Sequence, residues 1–443
     1  CTATLYVCDD KITFCDMHIT PLGKKPTTSI QRAIPNLKKE EHGFMSDYEA
    51  AVAQAQAEKK NMIIDFGARW CPACLRLESE IFTNLEFQKR TQSFVKVKVD
   101  VDQFSSGPIK EKYDIKGYPT VLVVDDHGDE ITRFMDFQPL PIVEDFLTQV
   151  QKNPKSLVML EKKEITPEIR KILWKRYYFA GQYKKSLELM DKLEPKPKEY
   201  WCARVEMSDK KRPEYAEALI AAIKADPEST RSLVWRSELI THLGATQKED
   251  PQVDQESQAL TNKLLANRTL LKKATETDFV GEFTGLEGFY VALVNAETND
   301  TPEAWKQAAH EGQVYKITAK QPGASLRYIS ALVKVGDSEK ALVLINDLLK
   351  VKPDDGDLER RKMRILLDLK KYPEAIESGE KALKNSYGAN EFFVVENLAK
   401  SYLGAKKKDE AKKLLTTYLN RNEINFSELS EIKKNLEELQ GKL

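Results

Sequence analysis

The chain has 443 residues, enough for about two to four domains of ordinary size. Its 69 basic and 69 acidic residues leave no net charge at neutral pH, so the overall charge provides no attraction to nucleic acid or to an anionic membrane. The sequence also lacks an uninterrupted apolar run of about 18 residues, which argues against a membrane-spanning helix.

Residues 1–43 are predicted to form an extended N-terminal arm, because much of this stretch is rich in proline, lysine and threonine. Cys8 and Cys15 bracket the segment CDDKITFC, in which the two aspartates favour a short hairpin. A disulfide across that hairpin would suit an oxidising compartment. The alternative is a metal site formed by Cys8, Cys15 and His18.

The first residue, Cys1, resembles the lipid-bearing cysteine of a processed bacterial lipoprotein. This interpretation predicts an extracytoplasmic protein of the bacterial periplasm, held at a membrane through a lipid on Cys1. An arbitrary boundary of the sequence, or a cysteine that pairs elsewhere, is the alternative.

Residues 44–153 are predicted to form an α/β domain. Ser46 followed by Glu49 has the capping-box pattern of a helix start, which predicts a helix over 46–60. His127-Gly128 lies between two β-rich runs and predicts a hairpin. The other predicted elements are strands at 61–66, 94–102, 120–126 and 130–137, and helices at 75–91 and 141–153. This order predicts a sheet with helices on both faces.

Residues 160–443 read almost entirely as helices, and a weak repeat is visible in them. Ala341, Ala375 and Ala411 recur at related positions, as do Ser186 and Ala218 earlier in the chain. A small residue there allows two helices to approach closely. The pattern resembles tetratricopeptide repeats (TPR), although residues 230–320 are out of register, and it predicts an all-α, TPR-like solenoid. Stacked helix pairs form concave surfaces, so a bound protein partner is expected.

The segment RWCPACL contains the cysteine pair Cys71 and Cys74 directly after a predicted strand. A structural zinc site needs four ligands and this motif supplies two, with no second such pair in the sequence. A purely structural disulfide would close a very small loop and add little stability. Redox exchange fits the position best, because a helix N-terminus favours the thiolate that attacks a disulfide. The remaining cysteine, Cys202, is interpreted as a buried apolar residue.

The runs IIDFGARWCPAC and YDIKGYPTVLVVD together resemble the thioredoxin superfamily, and in it the subgroup with the C-terminal periplasmic domain of DsbD. The resemblance implies that Cys71 is the nucleophile and that Cys74 is the resolving thiol. Since Cys74 lies one turn further into the helix, we expect it to be the more buried of the two. The resemblance further implies that Trp70 shields the site. Asp65 corresponds to the buried acid that takes the proton from Cys74. A solvent-exposed aspartate at a strand end is the alternative for Asp65.

Pro119 corresponds to the cis-proline of the family, which faces the cysteines. In that arrangement the backbone of Tyr118 pairs with a bound peptide in the manner of a strand. A trans proline at the start of an edge strand is the alternative. The dipeptide between the cysteines, Pro72-Ala73, differs from the Gly-Pro of thioredoxins. This dipeptide tunes the redox potential, so the motif leaves the direction of electron flow open.

The sequence therefore predicts a thiol–disulfide oxidoreductase, more specifically a protein-disulfide reductase, with no cofactor or metal besides its own redox-active disulfide. Its expected partners are a protein disulfide substrate, a thiol electron donor and a protein bound by the helical repeats. One alternative is a TPR-type binding scaffold in which the redox domain is secondary. Another is a factor that reduces target thiols during metal- or haem-protein assembly.

Overall fold

The computed structural model describes residues 42–443 except 209–212, 246–250, 268, 270, 272–284 and 426–428. Cys1, Cys8, Cys15 and His18 therefore lie outside the described residues, and the predictions made for them stay predictions. The described residues belong to one compact unit, so the α/β and helical regions are in contact with each other.

The α/β region is built around a four-stranded sheet. Its elements are α1 Tyr48–Glu58, β1 Met62–Gly67, α2 Pro72–Arg76, a π-helix Leu77–Phe82, α3 Leu85–Arg90, β2 Val95–Asp100, a 3₁₀ turn Phe104–Ser106, α4 Gly107–Lys112, β3 Thr120–Val124, β4 Glu130–Met135 and α5 Leu140–Lys152. The strand order is β2-β1-β3-β4. Strand β1 runs parallel to β2 and antiparallel to β3, while β3 and β4 form an antiparallel hairpin. Since parallel strands end at the same sheet edge, Gly67 and Asp100 are neighbours there.

The hairpin predicted around His127-Gly128 is present between β3 and β4. Gly128 has φ +84°, a conformation that glycine adopts without steric cost. Asp125 closes the turn, because its Oδ1 accepts hydrogen bonds from the backbone N–H groups of His127 (3.0 Å) and Asp129 (2.9 Å).

Two local predictions need correction. The first helix begins one residue later than the capping-box pattern indicated: Asp47, not Ser46, is the N-cap, and its Oδ1 accepts from Ala50 N at 3.0 Å. The helix predicted at 75–91 is divided, because Asn84 starts a new helix by accepting from the backbone N–H of Glu86 (2.9 Å). Helix α4 was not predicted.

The rest of the described chain is helical. The helices are Leu157–Glu161, Pro167–Phe179, Tyr183–Met190, Lys198–Met207, Pro213–Ala225, Thr230–Ala245, Pro251–Ala266, Glu287–Asn299, Pro302–Val314, Pro322–Lys334, Ser338–Val351, Gly356–Asp368, Tyr372–Asn385, Ala389–Gly404, Lys408–Leu419 and Ser430–Gln440, with a 3₁₀ turn at Asn422–Asn425. Consecutive helices pack on one another. Within the described residues, none of the helices combines the length and the apolar character needed to cross a membrane.

The small residues that marked the repeat are buried between helices. Ala341, Ala375 and Ala411 have no exposed surface, and each lies in the first turns of the second helix of a pair. Ser186 is likewise fully buried, and its hydroxyl donates to the backbone oxygen of Trp174, in the preceding helix, at 2.8 Å. The periodicity therefore reports close helix packing, as the sequence predicted.

Candidate active site

The cysteine pair lies where β1 leads into α2, as the sequence predicted. Cys71 and Cys74 form a disulfide with a Cα–Cα distance of 5.3 Å. Cys71 is the N-cap of α2, and its Sγ accepts a hydrogen bond from the backbone N–H of Cys74 at 3.2 Å. Pro72 occupies the first position of the helix, where the missing N–H of proline costs no hydrogen bond. The same backbone N–H of Cys74 would stabilise a thiolate on Cys71 after reduction.

The relative burial of the two cysteines is the reverse of the expectation. Cys71 is only 4% exposed, whereas Cys74 is half-buried. Cys71 belongs to the core of the α/β region, and its Sγ lies 3.7 Å from the backbone oxygen of Tyr118. The prediction that Cys74 is the more buried was wrong, because it considered only the positions of the cysteines in the helix. Residues distant in sequence, such as Tyr118, bury Cys71.

Asp65 is buried in the middle of the sheet, as the resemblance implied. Its Oδ1 has no hydrogen-bond partner, and burial raises the pKa of this carboxyl to about 7. Lys98, its neighbour on β2, opposes the rise in pKa, and Glu78 reinforces it. Lys98 is itself paired with Glu78 at 3.0 Å, so its charge is only partly directed at Asp65.

Asp65 and Cys74 approach each other on one side of Gly67. A Cβ atom built on Gly67 would lie 3.6 Å from Cys74 Sγ and 3.9 Å from Asp65 Oδ2. The carboxyl and the sulfur are therefore both within 4 Å of a common point. A buried acid with a pKa near neutrality can take or return a proton at this sulfur, directly or through one water molecule.

Tyr118 and Pro119 lie beside the cysteines, and the peptide bond between them is cis. Pro119 is buried and Tyr118 is half-buried. The rings of Trp70 and Tyr118 meet edge to face, with centroids 6.4 Å apart. Trp70, Cys71 and Tyr118 thus form one side of the site, while Asp65 and Cys74 meet near Gly67.

The sequence reasoning missed the acidic residues at the end of β2. Trp70 Nε1 donates to Asp102 Oδ1 at 3.0 Å, and this bond fixes the indole. Burial raises the pKa of Asp102 to about 6, although the hydrogen bonds from Trp70 and Asn390 act in the opposite direction. A usable signal existed, because carboxylates at the end of a strand parallel to β1 must lie near the residues that follow β1.

Sequence reasoning also missed several residues of the helical region that lie at this site. Arg361 Nη2 donates to the backbone oxygen of Trp70 at 3.1 Å. Asn390 Nδ2 donates to Asp102 Oδ2 at 2.7 Å, and the hydroxyl of Tyr387 donates to Asp100. No local pattern could have indicated these contacts, which join positions almost 300 residues apart.

Cys202 is buried, as predicted, and lies beside Tyr178 in the helical region, away from the disulfide. Among the described residues, no group of three or more histidine, cysteine, aspartate or glutamate side chains is arranged to hold a metal ion.

The fold and the disulfide at the β1–α2 junction define a thioredoxin-like domain. Residues 43–126 match the family model described as thioredoxin-like. The thiol:disulfide interchange protein DsbD of Colwellia psychrerythraea is 29% identical over 92 residues, which are 20% of this chain and 15% of that protein. A thioredoxin H-type of Oryza sativa subsp. indica is 35% identical over 83 residues, which are 19% of this chain and 64% of that protein. The chain therefore spans less than two thirds of either relative.

The helical region is similar to a solved structure, the TPR2AB-domain:pHSP90-complex of yeast Sti1. The match spans 64% of this chain and 98% of the other chain, with 14% identity and a TM-score of 0.26. The fold class predicted from the sequence is confirmed: a thioredoxin-like α/β domain precedes a long all-helical region, TPR-like in its consecutively packed helices and buried small residues.

Proposed function

We propose that the chain is a thiol–disulfide oxidoreductase that reduces protein disulfides. The observation that carries the proposal is the Cys71–Cys74 disulfide with a buried carboxyl, Asp65, close to the resolving sulfur. The similarity of residues 43–126 to thioredoxin-like proteins, DsbD among them, supports the same class of chemistry.

In the proposed reaction the reduced protein begins with a thiolate on Cys71. The thiolate attacks one sulfur of the partner disulfide, forms a mixed disulfide and releases the other partner sulfur as a thiolate. Cys74 then gives its proton to Asp65 and attacks Cys71 Sγ. This step restores the Cys71–Cys74 disulfide and releases the second partner thiol. Two electrons pass to the partner, and a thiol donor later returns two electrons to the disulfide.

The helical region is proposed to bind a protein partner, either the donor or the substrate, on the surface that its stacked helices present. The extracytoplasmic location and the lipid on Cys1 belong to the same proposal. Cell fractionation and the intact mass of the purified protein are the measurements for these two points.

The first experiment traps the intermediate. A Cys74→Ala variant mixed with an unfolded peptide that carries one disulfide should accumulate a mixed disulfide through Cys71, visible as a mass increase under non-reducing conditions. Cys71→Ser should give no adduct, and Cys202→Ala, the matched control, should reduce the peptide at the wild-type rate. An adduct in Cys71→Ser, or wild-type protein that leaves the peptide unreduced with dithiothreitol as donor, would contradict the proposal.

The direction of electron flow is tested by equilibrating the protein with glutathione buffers. A reductase should have a potential nearer to the roughly −270 mV of thioredoxin than to the roughly −120 mV of the oxidant DsbA. A potential at the oxidising end would make the chain an oxidase of thiols and would contradict the reductase proposal alone.

A further inference from the structure

The helical region packs against the rim of the cysteine site, with backbone against backbone at two points. A Cβ atom on Gly323 would overlap the carbonyl oxygen of Pro72, and one on Gly388 would overlap the carbonyl oxygen of Asp102. Only glycine permits an approach of this kind. One contact is at Pro72, directly after Cys71, and the other is at Asp102, the hydrogen-bond partner of the Trp70 indole, so the helical region bounds the rim at both points.

Hydrogen bonds connect the same surfaces. Arg361 donates to the backbone oxygen of Trp70 (3.1 Å) while its Nε is held by Asp357 Oδ2 at 2.7 Å. Asp102 accepts from Trp70 on one carboxyl oxygen and from Asn390 on the other. The indole that borders the cysteines is therefore positioned by residues from both regions.

The helix that carries the cysteines is also shared with the helical region. Leu75, directly after Cys74, is buried in the hydrophobic core of the helical region rather than in that of the α/β region. Arg76 is 2% exposed and lies between two rings, 4.0 Å from the centroid of Phe137 and 5.7 Å from that of Tyr290. Contacts of this kind make the helical region a fixed part of the site rather than a loosely tethered neighbour.

The side of the site around residues 114–118 is more open. The side chain of Lys116 is 74% exposed, and a Cβ atom on Gly117 would have nothing within 4 Å. A disulfide that reaches Cys71 must therefore approach past Tyr118, because Trp70 and Pro72 are already in contact with the helical region. A disulfide on a folded protein brings neighbouring surface with it, roughly 800 Å² in a standard interface, and the helical region already occupies the rim at Trp70 and Pro72.

We propose that the helical region determines substrate selection by restricting access to Cys71, so that small or extended disulfides react and disulfides on folded protein surfaces are excluded. This inference rests on the proposed function and assigns to it a class of substrate. Arg361 and Gly323 are the residues that maintain the restriction, and neither of them takes part in the exchange itself.

The test uses the full-length chain, reduced with dithiothreitol and then freed of it. Two probes are compared, oxidised glutathione as the small disulfide and native insulin as the folded one. For both probes the readout is the loss of alkylatable Cys71, measured by mass spectrometry after an acid quench. The variants are Gly323→Val, which should force the two regions apart, and Arg361→Ala, a milder change that retains the fold if Gly323→Val does not. The matched controls are Gly312→Ala, which crowds Tyr328 inside the helical region, and Arg364→Ala, an exposed arginine on the helix of Arg361.

The expected result is a rise of about tenfold or more in the insulin rate of Arg361→Ala or Gly323→Val, with a glutathione rate within about twofold of wild type. Both control variants should match wild type for both probes. An insulin rate that stays the same or falls in the opened variants would overturn the inference and leave the proposed function intact, provided that oxidised glutathione is reduced. Wild-type protein that oxidises with neither probe would overturn the proposed function as well.

Discussion

Asp65 should make the stability of the protein depend on pH in a direction opposite to that of an ordinary ion-paired carboxylate. Burial raises the pKa of this carboxyl from its ordinary value of 3.8 to about 7. Below pH 3.8 the group is protonated in the folded and unfolded chain alike. Between pH 3.8 and about 7 the unfolded chain has released the proton while the folded chain retains it. The free energy of unfolding therefore falls as the pH rises, and it levels off above about 7.

The size of this loss follows from the difference between the two pKa values. At about 1.36 kcal/mol for each pH unit, the difference corresponds to about 4 kcal/mol. Asp65→Asn removes the ionisation. The free energy of unfolding of this variant, relative to that of wild type, should therefore rise by about 4 kcal/mol between pH 4 and pH 8. The comparison across pH is more informative than either value alone, because the asparagine amide also lacks a partner at this position.

The assay is urea unfolding of the oxidised protein, followed by tryptophan fluorescence at several pH values from 4 to 8. Asp145→Asn, which changes an exposed aspartate on α5, is the control and should differ from wild type by a constant amount. A difference between Asp65→Asn and wild type that varies by less than about 1 kcal/mol over this range would refute the reasoning. The same variant should accumulate the mixed disulfide with the unfolded disulfide peptide, since Cys74 loses its proton acceptor.

Three further changes test the packing. Trp70→Phe removes the donor to Asp102 and should lower the free energy of unfolding by about 1–3 kcal/mol at pH 8, as measured by urea midpoints. The loss should be smaller at pH 5, because that carboxyl is then protonated. Ala341→Leu should lower the free energy of unfolding by about 1–3 kcal/mol, because the position is fully buried. Val343→Leu, at a site 62% exposed, should change it by no more than about 0.5 kcal/mol, and equal effects would contradict the repeat packing. Arg76→Met should lower the free energy of unfolding by about 2 kcal/mol in thermal unfolding, through the lost ring contacts and the lost ion pair with Glu80, and a neutral result would contradict a stabilising role for this guanidinium.

The parts of the fold that could be predicted from the sequence are those with local causes. An apolar strand, a proline after the first cysteine and a hairpin turn at Gly128 each depend on a few adjacent residues, and all three are present. The small residues of the repeat were informative for a related reason, because close helix packing recurs at a fixed spacing. The helix start was misplaced by one position, since Ser46 and Asp47 are both good N-caps and tertiary contacts select between them.

The surroundings of the site could not be predicted in the same way. Whether Cys71 or Cys74 is the more exposed depends on which residues cover them, and part of the adjoining rim comes from residues 323–390. Neither hydrophobic periodicity nor motif spacing relates Trp70 to Arg361. An aspartate buried beside apolar neighbours was foreseeable at position 65, but the role of Asp102 required the parallel pairing of β1 and β2 to be known.

Because the cysteine-bearing helix packs against both regions, the α/β region and the helical region cannot evolve independently of each other. Leu75 and Arg76 contact the helical region, while the sulfurs next to them are constrained by the exchange chemistry. A mutation that repacks the helical region near this helix therefore also disturbs the redox centre. If recombination replaced either region with that of a related protein, the new pair would need glycine at positions 323 and 388 to keep the backbone contacts.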